Sequence, residues 1–254
     1  VVHASRLPEQ PGRLHHKTPK LFVKSSLVDS AKPQAIHPAF FPSMSRILIT
    51  SGPTRQYLDP IRYLTNASSG RMGAALAAAA IEAGHEVVVV SGPVEAVYPE
   101  KAELVSVIST EDMLEACLKI FPACDGLIAV AAPCDYRPLT VARHKIRKTG
   151  DALKLQLVET PDVVARLGAA KDSQWIVAFA LETEDPRIRA MQKLKRKNCD
   201  LIVVNGPEAV HALDTRVEIL DASGDIVAAF AGSKQEVGRQ IFSVIIERLI
   251  KYGY

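Results

Sequence analysis

The run Arg46-Ile47-Leu48-Ile49-Thr50-Ser51 leads through a polar loop to Gly70-Arg71-Met72-Gly73-Ala74-Ala75-Leu76, and then to Glu86-Val87-Val88-Val89-Val90. These segments decide the fold. Arg46–Ser51 reads as a strand and Gly52–Ser69 as a long polar loop. Gly70–Ala83 is an Ala-rich helix stopped by Gly84, because glycine enters the left-handed turn that ends a helix without steric penalty. Four consecutive valines form a strand buried on both faces, as parallel sheets require. The unit is β-α-β.

The same rhythm continues outward from this unit. Leu104–Ile108 reads as a third strand, and Thr110 caps a helix to Phe121. Gly126–Ala131 is a fourth strand, ending in the loop Ala132–Lys148. Leu153–Val158 alternates like a half-exposed strand, and Pro161 stands at a helix start, where its missing N–H does no harm. Trp175–Ala180 and Leu201–Val204 are strands around a helix over Pro186–Lys197. Val217–Leu220 and Ile226–Phe230 flank Asp221-Ala222-Ser223-Gly224-Asp225, a hairpin signal. Ser233-Lys234-Gln235-Glu236 is a capping box opening a helix to about Ile250. The expected fold is α/β and Rossmann-like: a mostly parallel sheet covered by helices, with a late β-hairpin.

The first 43 residues differ in kind. They hold six of the 16 prolines and four of the seven histidines, with no sustained periodicity. Such a stretch buries too little apolar surface to offset its chain entropy. The expectation is a disordered, dispensable extension over 1–43, with Met44 as the natural start and one domain over 44–254. Residues 1–45 carry six bases against two acids, and the remainder 25 against 26. A body so close to neutral gives no support to nucleic-acid binding. No apolar run reaches the length of a membrane span. Cys117, Cys124, Cys134 and Cys199 are scattered without metal-site spacing, so reduced cytoplasmic thiols are expected.

In a doubly wound sheet, ligands bind beyond the carboxyl ends of the strands. After the first strand come Ser51-Gly52-Pro53-Thr54-Arg55 and then Asn66-Ala67-Ser68-Ser69-Gly70, small residues entering a helix. Small side chains let backbone N–H groups approach a ligand, and a helix N-terminus favours an anion. The alternative is a plain polar cap. After the fourth strand comes Cys134-Asp135-Tyr136-Arg137-Pro138. Asp135 suits a metal or a ribose hydroxyl, or else closes a turn. Lys145-Ile146-Arg147-Lys148 is a solvated charge run or a flap over phosphates. Phe179 is core or a stacking face for a base. Lys193 and Lys197 share one helix face by their i, i+4 spacing, either solvated or aimed at a polyphosphate.

Together, Ser-Gly-Pro-Thr-Arg, Asp59-Pro60-x-Arg62-Tyr63, Asn66-x-Ser-Ser-Gly-x-Met-Gly, Asp135-Tyr136-Arg137-Pro138 and Lys145-x-Arg-Lys148 resemble phosphopantothenate–cysteine ligase. The resemblance runs from about Arg46 to Ile250. It implies Mg²⁺ as cofactor, CTP as co-substrate, and an acyl-cytidylate formed from 4′-phosphopantothenate that cysteine then converts to an amide, in coenzyme A biosynthesis. It implies Asn66 and Lys145 as catalytic residues. Gly52, Ala129, Val130, Ala131, Asp135, Lys145, Pro161, Asp162, Val163, Val164, Phe179, Lys193 and Lys197 match nucleotide-contacting positions, with Asp135 also on the metal. Asn66, Ser68, Ser69 and Gly70 fall on the substrate side. Arg147 stands where the family motif has lysine, and Gln56 where it often has an acid.

The resemblance also implies a homodimer, with the late hairpin and the flap as dimer elements. The flavin-dependent decarboxylase half of the bifunctional relatives has no counterpart in this sequence, so a stand-alone ligase feeding a separate decarboxylase is expected. Two rivals remain open. An NAD(P)-dependent oxidoreductase lacks support from a G-x-G-x-x-G fingerprint or a Tyr followed four residues later by Lys. A non-catalytic nucleotide-binding regulator is compatible with the same motifs.

Overall fold

The computed structural model describes residues 43–181, 185–205 and 214–250; the expected disordered extension over 1–43 lies, but for Ser43, outside them. In chain order the strands are β1 (Arg46–Ser51), β2 (Arg55–Asp59), β3 (Arg62–Thr65), β4 (Glu86–Ser91), β5 (Glu103–Ser106), β6 (Gly126–Ala129), β7 (Tyr136–Pro138), β8 (Leu157–Glu159), β9 (Trp175–Leu181), β10 (Leu201–Asn205), β11 (Asp214–Asp221) and β12 (Ile226–Ser233). The helices are α1 (Arg71–Glu82), α2 (Thr110–Ile120), α3 (Val163–Ala170), α4 (Pro186–Arg196) and α5 (Lys234–Leu249). The main sheet has eight strands in the order β12-β11-β10-β9-β6-β1-β4-β5. β4, β5, β6, β9 and β10 run parallel to β1; β11 runs antiparallel to β10 and β12 antiparallel to β11, which gives the late hairpin.

Strand alternation explains the two cores. Ile47, Ile49, Val87 and Val89 face α1 and α5 in one cluster with Leu76, Ile241 and Phe242. Leu48, Val88 and Val90 face the other way, against Met113, Cys117, Leu167 and Leu194 of α2, α3 and α4. Gly73 brings α1 hard against β1: a Cβ there would lie 2.0 Å from Ser51 Oγ. Gly84 closes α1 at φ 89°.

Several local expectations change. The loop over 52–69 contains a separate hairpin, β2–β3, held by the Tyr57–Tyr63 edge-to-face pair and by Arg55 lying over the Tyr63 ring. Leu153–Val158 is not a six-residue strand; only Leu157–Glu159 finds a partner, β7, in a short ribbon outside the main sheet. β6 stops at Ala129; beyond it Val130 N still donates to the Thr50 carbonyl at 3.2 Å, and Ala131 N turns to the Thr50 hydroxyl. Ser109, not Thr110, caps α2, because Ser109 and Asp112 bond each other's backbone amides while the Thr110 hydroxyl turns inward. α3 begins at Val163 after its cap Asp162, so Pro161 precedes the helix. At α5 the Ser233 hydroxyl accepts from the Glu236 amide.

Candidate active site

The chain leaves β1 for β4 and β5 on one side, then crosses to β6 on the other. Loops after β1 and β6 therefore diverge, opening a crevice at the carboxyl ends of the strands. A cleft of about 620 Å³ lies there. One wall is the run Asn66–Gly73 entering α1. The floor is Ala129–Pro133 with Asp135. The far wall is Pro161–Val164, Phe179, Lys193 and Lys197. Of the catalytic, nucleotide-contacting and substrate-side positions that the resemblance implies, all but Gly52 and Lys145 line this cleft.

Gly52 is buried beneath it. Its φ of 69° is left-handed, and a Cβ would meet Val94 Cγ1 at 2.8 Å. Its carbonyl accepts from the Ala132 amide at 2.9 Å. The glycine thus lets two loops pack, just below the residues that line the cleft. Lys145 is exposed on the segment after β7 and does not reach the cleft. Its neighbour explains this: Ile146 N donates to Asp59 Oδ2 at 3.0 Å and its carbonyl accepts from Arg62 Nη1 at 3.0 Å. The flap is therefore tied to the β2–β3 hairpin.

A buried relay of threonines fixes the floor. Cys134 N donates to Thr54 Oγ1 at 2.8 Å, and the Thr54 and Thr110 hydroxyls are 2.8 Å apart. Thr110 and Thr160 both donate to the Cys134 carbonyl, at 3.1 and 2.7 Å. This holds the loop on which Asp135 stands. Cys134 itself is buried, its thiol directed at the Tyr136 carbonyl at 3.2 Å, so it packs and does not face ligand. Burial pushes the Cys117 and Cys199 thiols up to about 12, and that of Cys124 upward, which leaves them protonated and unreactive.

Asn66 ties its wall to the floor. Its Nδ2 donates to the Pro133 carbonyl at 2.8 Å and lies 3.4 Å from that of Ala132. Two carbonyls fix the amide's orientation, leaving Oδ1 as an acceptor for a ligand. Across the cleft, Asp162 Oδ1 caps α3 through Ala165 N at 3.0 Å and pairs with Lys197 Nζ at 3.0 Å. α1 starts at Gly70 with no side-chain cap, so its leading amides face the cleft unscreened.

Residues 43–249 match the family model described as the DNA/pantothenate metabolism flavoprotein C-terminal domain. The chain belongs to this family. It is 44% identical over 164 residues to the coenzyme A biosynthesis bifunctional protein CoaBC of Bacillus subtilis, covering 64% of this chain and 40% of that protein. It is 46% identical over 163 residues to the CoaBC of Vibrio cholerae, covering 63% of this chain and 41% of the relative. The match thus spans about two fifths of these relatives' length. The crystal structure of a CoaBC C-terminal domain superposes with a TM-score of 0.69 at 36% identity, covering 81% of this chain and 98% of that one.

Within this flavoprotein C-terminal domain, Arg71, Thr215 and Lys234 are among the cleft residues that the sequence reading missed, with Glu159, Thr160, Arg196 and Asn205. Arg71 sat inside a quoted motif as its variable position. Thr215 and Lys234 flank a hairpin whose sequence shows only a turn and a cap. Arg187, conversely, shares α4 with Lys193 but forks onto Glu218 at 2.8 and 2.9 Å, so it serves the scaffold. Among the described residues no group of three or more His, Cys, Asp or Glu is placed to hold a metal ion, and no helix is long and apolar enough to cross a membrane.

Proposed function

We propose that this domain joins cysteine to 4′-phosphopantothenate, driven by conversion of a nucleoside triphosphate, preferentially CTP, to the monophosphate and pyrophosphate. One observation carries the reading: a single cleft at the sheet's switch point gathers Asn66, Asp135, the open start of α1 and the cations Lys193 and Lys197. The name of the relatives, a bifunctional protein of coenzyme A biosynthesis, and the match to a CoaBC C-terminal domain support it.

The chemistry sets the demands. The substrate carboxylate attacks the α-phosphorus, the bond to the β-phosphate oxygen breaks, and pyrophosphate leaves. The cysteine amine then attacks the activated carbonyl, the acyl–oxygen bond breaks, the nucleotide leaves and the nitrogen gives up a proton. Two anions meet in the first step, so cations and oriented amides must offset their repulsion. The α1 amides and Lys193 supply that charge; the Asp162–Lys197 pair and Phe179 frame the nucleoside. In the second step Asn66 Oδ1 accepts from the incoming amine and aims its lone pair. Asp135 is exposed at the cleft edge. A single carboxylate suits Mg²⁺, which is held largely by phosphate oxygens and water and neutralises phosphate charge when bound.

Lys145 acts from the flap, on closure over the nucleotide or in the cleft of a second copy. The flap region leaves Leu139, Val141, Leu153, Leu155 and Leu157 exposed, apolar surface that a homodimer would cover. Sedimentation of the active protein as a monomer would contradict the dimer. The test of function is pyrophosphate release with purified protein, CTP or ATP, Mg²⁺, cysteine and 4′-phosphopantothenate. Release that needs no 4′-phosphopantothenate, or none at all, overturns the reading; faster turnover with ATP overturns the CTP preference.

A further inference from the structure

No residue of the loop between β4 and β5 lines the cleft, yet two of its side chains bear on the wall Asn66–Gly73. Val94 packs on two left-handed glycines at once. A Cβ on Gly52 would lie 2.8 Å from its Cγ1, and one on Gly70 would lie 3.1 and 3.2 Å from its two γ-methyls. Tyr98 adds a chain of hydrogen bonds. Its hydroxyl donates to Ser51 Oγ at 2.8 Å and lies 2.7 Å from Ser91 Oγ. Ser51 and Ser91 are buried, and they are the last residues of β1 and β4. Ser51 Oγ in turn donates to the Gly70 carbonyl at 3.3 Å. That carbonyl also accepts from Ala74 N at 3.0 Å, the first bond of α1. One phenol thus joins the ends of two neighbouring strands to the turn by which the wall enters its helix. Gly70 has no side chain with which to cap that helix, so the turn is held from below instead.

We propose that Tyr98 is a positioning residue for the ligase reaction: through Ser51 its hydroxyl fixes the turn at Gly70, and with it the run Asn66–Gly70 on the 4′-phosphopantothenate side. The proposal rests on the function above for the identity of that substrate; the hold of the hydroxyl on the wall does not. Low local dielectric strengthens a chain of buried hydroxyls, and a wall displaced by a fraction of an ångström loses its aim at the substrate. The opposite wall stands apart from this brace. Its Pro161–Val164, Phe179 and Lys197 belong to the surroundings of α3, β9 and α4, and β9 is separated from β4 by β6 and β1. The Tyr98 ring packs on the core cluster of β1, β4 and α1, so Tyr98→Phe keeps that packing and removes only the hydroxyl.

The test compares the full chain with Tyr98→Phe, Ser51→Ala, the double variant, and Val97→Ser on the exposed tip of the same loop. Steady-state pyrophosphate release gives KM for 4′-phosphopantothenate, calorimetry gives the affinity for CMP, and hydrogen exchange reads the amides of residues 67–73. Tyr98→Phe raises KM for 4′-phosphopantothenate about fivefold, the scale of one neutral hydrogen bond. It quickens exchange over 67–73, while CMP affinity and melting temperature stay close to wild type. Ser51→Ala does the same, and the double variant is no worse than either single one, because both changes cut one chain. Val97→Ser leaves every readout unchanged. The proposal is overturned if Tyr98→Phe matches wild type in KM and in exchange, or if CMP affinity falls as far as that for 4′-phosphopantothenate, which is general loosening. It is overturned as well if the two single effects add in the double variant, or if Val97→Ser reproduces them. Should the wild type release no pyrophosphate, the proposed function falls, and exchange over 67–73 alone decides whether the Tyr98 hydroxyl holds the wall.

Discussion

Asp59 Oδ2 accepts a hydrogen bond of 3.0 Å from the amide of Ile146, 87 residues further along the chain. The same carboxylate binds Arg62 Nη1 at 2.6 Å, and its Oδ1 accepts from the amides of Ile61 and Arg62, both at 2.9 Å. The last residue of β2 thereby anchors the segment that carries Lys145 and Arg147. Burial on its own would raise the Asp59 pKa, but the bonds from Ile61, Ile146 and Arg62 outweigh it and hold the carboxyl at about 2.

Asp59→Asn follows directly. The new amide nitrogen faces donors from Ile146 or Arg62, so one bond becomes a clash. Turnover should fall about tenfold or more through loss of the flap's position, while inorganic pyrophosphate binding changes little. Amide exchange over 143–148 should quicken. Unchanged exchange there would separate Asp59 from the flap. A depressed carboxylate pKa adds stability above its unfolded value of 3.8, lost as pH falls towards about 2. Wild type should therefore lose melting temperature between pH 4 and 2 more steeply than Asp59→Asn.

His85 sets a second pH dependence, at higher pH. It is buried, its Nδ1 accepts from Ser45 N at 3.2 Å, and its ring meets Phe242 edge-on at 5.5 Å. Nε2 has no partner. Burial pulls its pKa below 6.5, and Asp125 only partly restores it. The unfolded chain then takes up a proton that the fold resists, so stability is full above pH 6.5 and falls as pH drops below it. His85→Gln should flatten the melting-temperature profile between pH 7 and 5. An equal slope in both proteins would assign that dependence elsewhere.

Gly73→Ala tests the seating of α1. The added methyl meets Ser51 Oγ at 2.0 Å, and Ser51 is held by the Tyr98 hydroxyl at 2.8 Å. The helix must lift from β1, at about 1–3 kcal/mol, and its leading amides move with it. A lower melting temperature and weaker CTP binding are expected together. Wild-type stability would show that the helix shifts freely.

Legibility followed locality. The valines of β4, the apolar run of β6 and the Ala-rich α1 specify their places by composition alone, because burial on both sheet faces leaves a continuous apolar record. The cleft's position then follows from strand order. The β2–β3 hairpin left a weaker trace: its buried residues, Gln56 and Asp59, are polar, and what holds it is a pair of tyrosines, an arginine over a ring, and a bond to Ile146. Lys145 was readable as a flap cation, yet its distance from the cleft depends on that same bond. Thr215 and Lys234 reach the cleft only because β11 and β12 run on to Asp214 and Ser233, past the expected hairpin ends.

On the proposed function, Asn66 and Lys145 are expected to serve different half-reactions. Asn66 donates to loop carbonyls and offers Oδ1 to the cleft, so it should matter after activation, when the amine must be aimed. Asn66→Asp keeps the acceptor but turns a carboxylate towards two carbonyls and an acyl phosphate, where like charges repel. It should still release pyrophosphate and accumulate acyl-cytidylate, with amide formation down by roughly a hundredfold, the scale of one misplaced polar group at a reacting centre. Asn66→Ala, which removes the clamp without adding charge, should lower both steps by a smaller, similar factor. Lys145→Gln removes a cation from the flap and should weaken CTP binding and product formation together. Rapid quench with labelled CTP distinguishes them. Amide formed by Asn66→Asp at the wild-type rate, or pyrophosphate release blocked as fully as in Lys145→Gln, would place Asn66 outside the second step.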